Sequence, residues 1–144
     1  MRHHFVSIHT ADNDPKWRMP YAPAIKVHTG KTVYLAGITA APVYHSHPHI
    51  AAEFDHLPTD AEQQAEMTMN NMRQVLQAAG GSLSDVVQLF RFIVDMDKHQ
   101  DAINRVMAQC FGAHRPTTTT VEVVRLATDP RLVLEVTAVA VVPE

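Results

Sequence analysis

HRPTTTTVEVVRL, residues 114–126, sets four consecutive threonines between a proline and a valine-rich run. Threonine and valine branch at Cβ and suit a pleated strand, and the segment contains neither glycine nor serine, so it reads as a strand and not as a linker. A second β-branched run, RLVLEVTAVAVV at 131–142, follows the turn ATDP. Upstream, DVVQLFRFIVDMD at 85–97 is a third strand, apolar enough to be covered on both faces, with Val87, Leu89, Arg91 and Ile93 on one side.

Helices separate these strands. Ile103, Val106, Met107, Cys110 and Phe111 recur at helical spacing and stop at Gly112. An earlier stripe, Ala61, Ala65, Met69, Met72, Leu76 and Ala79, ends at Gly80 and Gly81. Thr59 followed by Glu62 predicts a capping box, in which each side chain satisfies a free backbone N–H near the helix start. KTVYLAGI (31–38) and HHFVSIHT (3–10) read as strands, with the turn-rich DNDPKWRMPYAPA between them. The order strand, strand, helix, strand, helix, strand, strand predicts an α+β fold, one sheet and one helical layer, in a single domain over residues 1–144.

Composition narrows the function classes. The chain has 144 residues, 46% hydrophobic and 19% charged, with net charge −3. No basic run marks a nucleic-acid surface, and no apolar run is long enough for a membrane span, so neither partner is expected. Cys110 is the single cysteine, which excludes an intrachain disulfide, and the N-terminus lacks a signal-peptide core; the chain is expected in the cytoplasm. Neither G-x-S-x-G nor a P-loop is present, and the glycines of AGG end a helix instead of opening one.

Ten histidines are the unusual feature. HSHPHIAAEFDH places His45, His47 and His49 two residues apart in a long loop, a spacing that lines up imidazoles in an extended segment. Pro48 interrupts the run and no HExxH or Cys/His framework accompanies it, so the loop is read as polar, with no metal and no cofactor assigned. His3, His4, His9 and His28 read as surface groups, and His99 and His114 as flanking the second helix. Glu122 and Arg125 read as a solvated face. Glu135 is the acid that stands out, since it interrupts an apolar strand. A carboxylate there is either paired, with Arg91, Arg125 or Arg131, or chemically active with a pKa raised by burial.

PYAPAIKV (20–27), TVYLAGI (32–38), the run from NNMRQVLQAAGGSLSDVV through QDAINRVMAQCFGAHRP (70–116) and VEVVRLATDPRLVLEVTAVAV (121–141) together resemble the RidA/YjgF family, also called L-PSP. The resemblance implies a chorismate-mutase-like fold with two helices on one face of the sheet, a homotrimer, and ligand clefts between subunits. It implies hydrolysis of reactive imines and enamines, such as those from amino-acid dehydration, to keto acids and ammonia. By that resemblance Glu135 positions the attacking water, and Tyr21, Gly37, Asn104 and Thr120 line the substrate site.

One position departs from the pattern. Where the family carries a carboxylate-binding arginine, two residues before Thr120, this chain has Thr118. A guanidinium grips a carboxylate with two charge-assisted hydrogen bonds, which one hydroxyl cannot replace. Arg91, on a strand where an apolar residue is usual, is the candidate substitute. The expected function is therefore a divergent hydrolase or deaminase of a small imine, enamine or related unsaturated amine. The alternative is a small-molecule-binding trimer without catalysis. A third reading is a metal-binding trimer built on the histidine loop.

Overall fold

The structure is a computed structural model that describes residues 2–8 and 19–144. His9 and residues 12–18 of the turn-rich segment lie outside the described residues. The chain opens with β1 (His3–Val6), paired antiparallel with β2 (Ala24–Val27). The reading from sequence did not resolve β2 as a strand, because it is only four residues long and lies between Pro23 and the turn at Gly30. β3 (Lys31–Tyr34) then enters the main sheet and is shorter than the KTVYLAGI run. Ile38 rejoins the sheet through a single bridge to Val136.

After the histidine loop comes α1 (Ala61–Ala78), then β4 (Val86–Val94), α2 (Met96–Phe111), β5 (Thr117–Val123) and β6 (Leu134–Val142). The main sheet has the order β3-β6-β4-β5. β6 is antiparallel to both β3 and β4, and β4 and β5 are parallel, joined by α2. The threonine run is thus the sheet's edge strand. The architecture is α+β, two helices packed on one face of a mixed sheet, as read from sequence.

The buried face follows the residue alternation of the strands. Leu89, Ile93, Leu134, Val136, Ala138 and Ala140 meet Met69, Met72, Leu76, Ile103 and Val106 from the two helices. Each large side chain buried this way contributes roughly 1.5–3 kcal/mol. A bulge between Val86 and Gln88 corrects the predicted facing of β4. It turns Val86, and not Val87, onto the helix side with Leu89.

The predicted burial of β4 on both faces does not hold within one chain. On the face away from the helices Phe90, Phe92 and Val139 are half-buried, while Tyr34 is 80% and Val121 43% exposed. Only one end of that face is covered, where Phe92, Val94 and Val123 pack on Ala40, Ala41, Phe54, Leu57, Leu126 and Leu132.

Polar staples hold the connections. α1 is capped by Asp60, whose carboxylate accepts from the Gln63 N–H at 3.1 Å; the Thr59/Glu62 box is displaced by one residue. Gln64 is fully buried. Its Nε2 donates to the carbonyls of Pro58 (2.8 Å) and Arg131 (2.9 Å), and its Oε1 accepts from the Val133 N–H (2.9 Å). Asn71 donates to the carbonyls of Thr39 and Ala41, tying down the chain just beyond Gly37. Glu122, read as solvated, accepts from the Met96 N–H at 2.8 Å and so caps α2 from a distance. The helix begins before His99, which lies inside it and bonds the Val94 carbonyl. His114 lies just past the end of α2, as read; it is half-buried and donates to the Val86 carbonyl. None of the described helices is long and apolar enough to cross a membrane.

Candidate active-site cleft

β5 carries alternate threonines to opposite faces. Thr118 lies opposite Leu89 of β4 and Thr120 opposite Arg91, so both turn toward α2. Between α2, the β4–β5 edge and the Pro20–Tyr21 segment lies a cleft of ≈ 490 Å³. Its walls include Tyr21, Arg91, Asn104, Thr118 and Thr120, five of the seven residues expected at the substrate site. Its floor is largely apolar, from Leu89, Met107 and Phe111.

Arg91 is the centre of this cleft. Its Nε donates to Thr120 Oγ1 at 2.8 Å and one terminal nitrogen donates to Asn104 Oδ1 at 2.8 Å. The same nitrogen approaches Met107 Sδ at 3.5 Å. Burial lowers its pKa from the ordinary guanidinium value. Among the described residues no carboxylate pairs with it, which removes the ion pair with Glu135 or Glu122 as its explanation. The second terminal nitrogen has no protein partner among the described residues. A guanidinium fixed on two sides and open on a third is built to receive an anionic oxygen. Thr118 spends its hydroxyl on the Pro116 carbonyl at 3.1 Å and brings no charge. The cleft's other arginine, Arg115, donates to the carbonyls of Gly112 and His114.

Glu135 and Gly37 lie elsewhere. Glu135 pairs in register with Phe92, and Arg91 with Val136, so Glu135 and Arg91 point to opposite faces of the sheet. The structure therefore does not gather the seven residues within one chain. Glu135 lies against Gly37: a β-carbon built there would stand 2.8 Å from Glu135 Oε2. The glycine is what admits the carboxylate. Glu135 forms no ion pair among the described residues; Arg131 instead joins Asp129 and Asp55. Burial raises the Glu135 pKa above the usual carboxylate range. It is thus a half-buried carboxylate without an ion-pair partner among the described residues, facing the open side of the sheet.

Residues that the sequence reading missed also line the cleft, among them Gln100, Ala108 and His114. Gln100 and Ala108 were within reach, since both sit one helical turn from Asn104 on the same face of α2. His114 had no such signal. None of His45, His47 and His49 lines this cleft.

Two helices packed on one face of a mixed sheet, with a cleft beside β5, define the class of fold. The sequence pattern of the family described as Endoribonuclease L-PSP matches residues 11–142. The chain belongs to that family, the RidA/YjgF family of the resemblance. A RutC family protein of Sulfurisphaera tokodaii is 36% identical over 115 residues, 80% of this chain and 83% of that protein. In Escherichia coli the protein named "Putative reactive intermediate deaminase TdcF" is 35% identical over 86 residues, 58% of this chain and 66% of its own. Among solved structures, the Rid-family protein YyfB of Yersinia pestis matches with a TM-score of 0.75, covering 99% of this chain and 100% of that one, at 24% identity, which speaks for the fold.

Proposed function

We propose that the protein is a hydrolase that deaminates a small imine or enamine bearing an anionic group, in a site completed by a second copy of the chain. The observation that carries this reading is the Arg91 guanidinium, fixed by Thr120 and Asn104 in an apolar cleft with one edge open. It supplies from β4 the cation that Thr118 withholds on β5. The name of the Escherichia coli relative points to the same chemistry.

The reaction needs a base, and Glu135 fits that role. The substrate reacts as its protonated iminium: a water proton passes to the Glu135 carboxylate while the water oxygen bonds to the iminium carbon and the π pair moves to nitrogen, giving a neutral carbinolamine. Glu135 then returns its proton to that nitrogen, the C–N bond breaks to release ammonia, and the hydroxyl proton passes to solvent as the carbonyl forms. A carboxylate whose pKa is raised by burial takes and returns a proton more readily at neutral pH than an ordinary one. Because Glu135 and Arg91 face opposite ways, the base reaching a given Arg91 belongs to a neighbouring copy. The uncovered apolar face with Tyr34, Phe90 and Val121 supports such assembly, and a homotrimer is the form we infer.

The test presents imines made in situ by an amino-acid oxidase, with semicarbazide as the competing trap. Lowered trapping and faster release of the 2-oxo acid are expected from the wild-type chain. Unaltered trapping at high protein concentration, with a small anion still bound by the cleft, would leave the non-catalytic binder as the correct reading.

A further inference from the structure

A cluster of three histidines lies outside the cleft. His45, His47 and His49 each offer a ring nitrogen, and these atoms lie within 4.8 Å of one another. The three rings gather closely, with His45 and His47 stacked at a centroid distance of 4.7 Å and His49 tilted against both, at 4.9 Å from His47 and 5.2 Å from His45. We propose that these three imidazoles form a binding site for one zinc-class divalent ion.

The base of the cluster is rigid. Phe54 is fully buried and meets His45 and His49 edge-on, with centroids 5.3 and 6.3 Å apart. The turn that carries Phe54 is clamped by Arg131, which donates to the Ala51 carbonyl and to the Asp55 carboxylate, each at 2.8 Å. His45 Nδ1 lies 3.3 Å from the Ser46 carbonyl. A carbonyl only accepts, so Nδ1 carries the proton and Nε2 keeps the lone pair a metal needs.

A second, independent feature lies beside the histidines. Glu53 Oε2 accepts from the Ser46 N–H at 3.4 Å, between His45 and His47, while its Oε1 is buried with no partner among the described residues. An unsatisfied buried carboxylate oxygen is costly, and a neighbouring cation offsets that cost.

The donor set selects the ion. Neutral imidazoles suit zinc, cobalt, nickel and copper, whereas calcium and magnesium prefer oxygen. Tetrahedral ligation at 2.0–2.1 Å brings nitrogens to about 3.3 Å from one another. The exposed His47 and His49 rings can close that gap by side-chain rotation over the fixed His45. Three protein ligands leave a fourth position open to water.

The experiment titrates the untagged full chain, stripped with chelator, with Co²⁺ and then Zn²⁺. It follows the visible ligand-field absorption of tetrahedral Co²⁺ and the thermal midpoint. One Co²⁺ per chain is expected, displaced by Zn²⁺, with a rise in midpoint that chelator reverses. His47→Ala and His49→Ala should each weaken binding by roughly tenfold or more, with circular dichroism unchanged because both residues are exposed. His4→Ala is the control, since His4 and His28 form a separate pair 2.7 Å apart, and it should bind as the wild type does. Sub-stoichiometric uptake, binding that survives the His47→Ala/His49→Ala double variant, or binding lost in His4→Ala would each overturn the proposal.

Discussion

The Glu135 carboxylate occupies the space that a side chain at Gly37 would need, with Oε2 only 2.8 Å from the position of a β-carbon there. The atom to be displaced is the end of a flexible side chain. Gly37→Ala should therefore move the carboxylate at small cost in stability, within about 1 kcal/mol. Deaminase turnover should fall at least tenfold while the urea midpoint stays close to that of the wild type.

Glu135 also sets a pH dependence of stability. Its folded pKa is raised by burial, so the folded state binds more protons than the unfolded one between the unfolded value, about 4.3, and the raised folded value. Stability attributable to this group is therefore full below the unfolded pKa and is lost as pH rises through the folded one. Glu135→Gln should be more stable than the wild type at pH 7, and the difference should shrink as pH falls toward about 4.3. Urea unfolding at both pH values measures it; a difference that grows on acidification would contradict the assignment.

Arg91 and Thr118 face the same cleft from adjacent strands. Arg91→Gln removes a charged hydrogen-bonding group, a loss of about 1.5–3 kcal/mol, which should raise KM for an anionic imine roughly tenfold or more. Thr118→Arg in the wild-type background sets two guanidinium groups side by side and should not simply add activity. In the Arg91→Leu background the same change should restore part of what was lost. Steady-state kinetics on Arg91→Gln, Thr118→Arg, Arg91→Leu and the Arg91→Leu/Thr118→Arg double variant separate these outcomes.

Gln64 holds three backbone groups in a site closed to water. Gln64→Leu leaves them without partners, at about 1–3 kcal/mol each. A loss of stability of at least about 3 kcal/mol should appear in urea unfolding.

Much of the fold was readable because its signals are local. The threonine run marked β5 through β-branching, and Gly80 and Gly112 closed the helices at positive φ. β2 escaped because four residues carry too little pattern. The bulge in β4 escaped because Val86 and Val87 are the same residue, and only the partner strand decides which one turns inward. Gln64 and Thr68 were within reach. Both fall on the stripe of Ala61, Ala65 and Met69, and a polar side chain on a buried stripe signals a hydrogen-bonded staple.

The candidate site was legible as a set of residue types but not as a place. Tyr21, Asn104, Thr118 and Thr120 line one cleft, and Arg91 joins them from β4. Strand parity alone sends Glu135 to the other face, and one chain's sequence does not say which copy's base meets which cleft. The histidine loop was read as exposed polar chain, because the fixed Phe54 beneath it and the orphaned Glu53 oxygen appear only in three dimensions.

The central claim, a site shared between copies, is tested most directly by complementation. Arg91→Gln and Glu135→Gln chains, each strongly impaired alone when assayed at substrate well below KM, are co-refolded in equal amounts, and mixed assemblies are verified by native mass spectrometry. If one copy supplies Arg91 and its neighbour Glu135, roughly one quarter of the clefts in random symmetric assemblies regain both groups, and deaminase activity returns to about that fraction. If mixed assemblies form and no activity returns, the two residues do not meet across copies and the account is wrong.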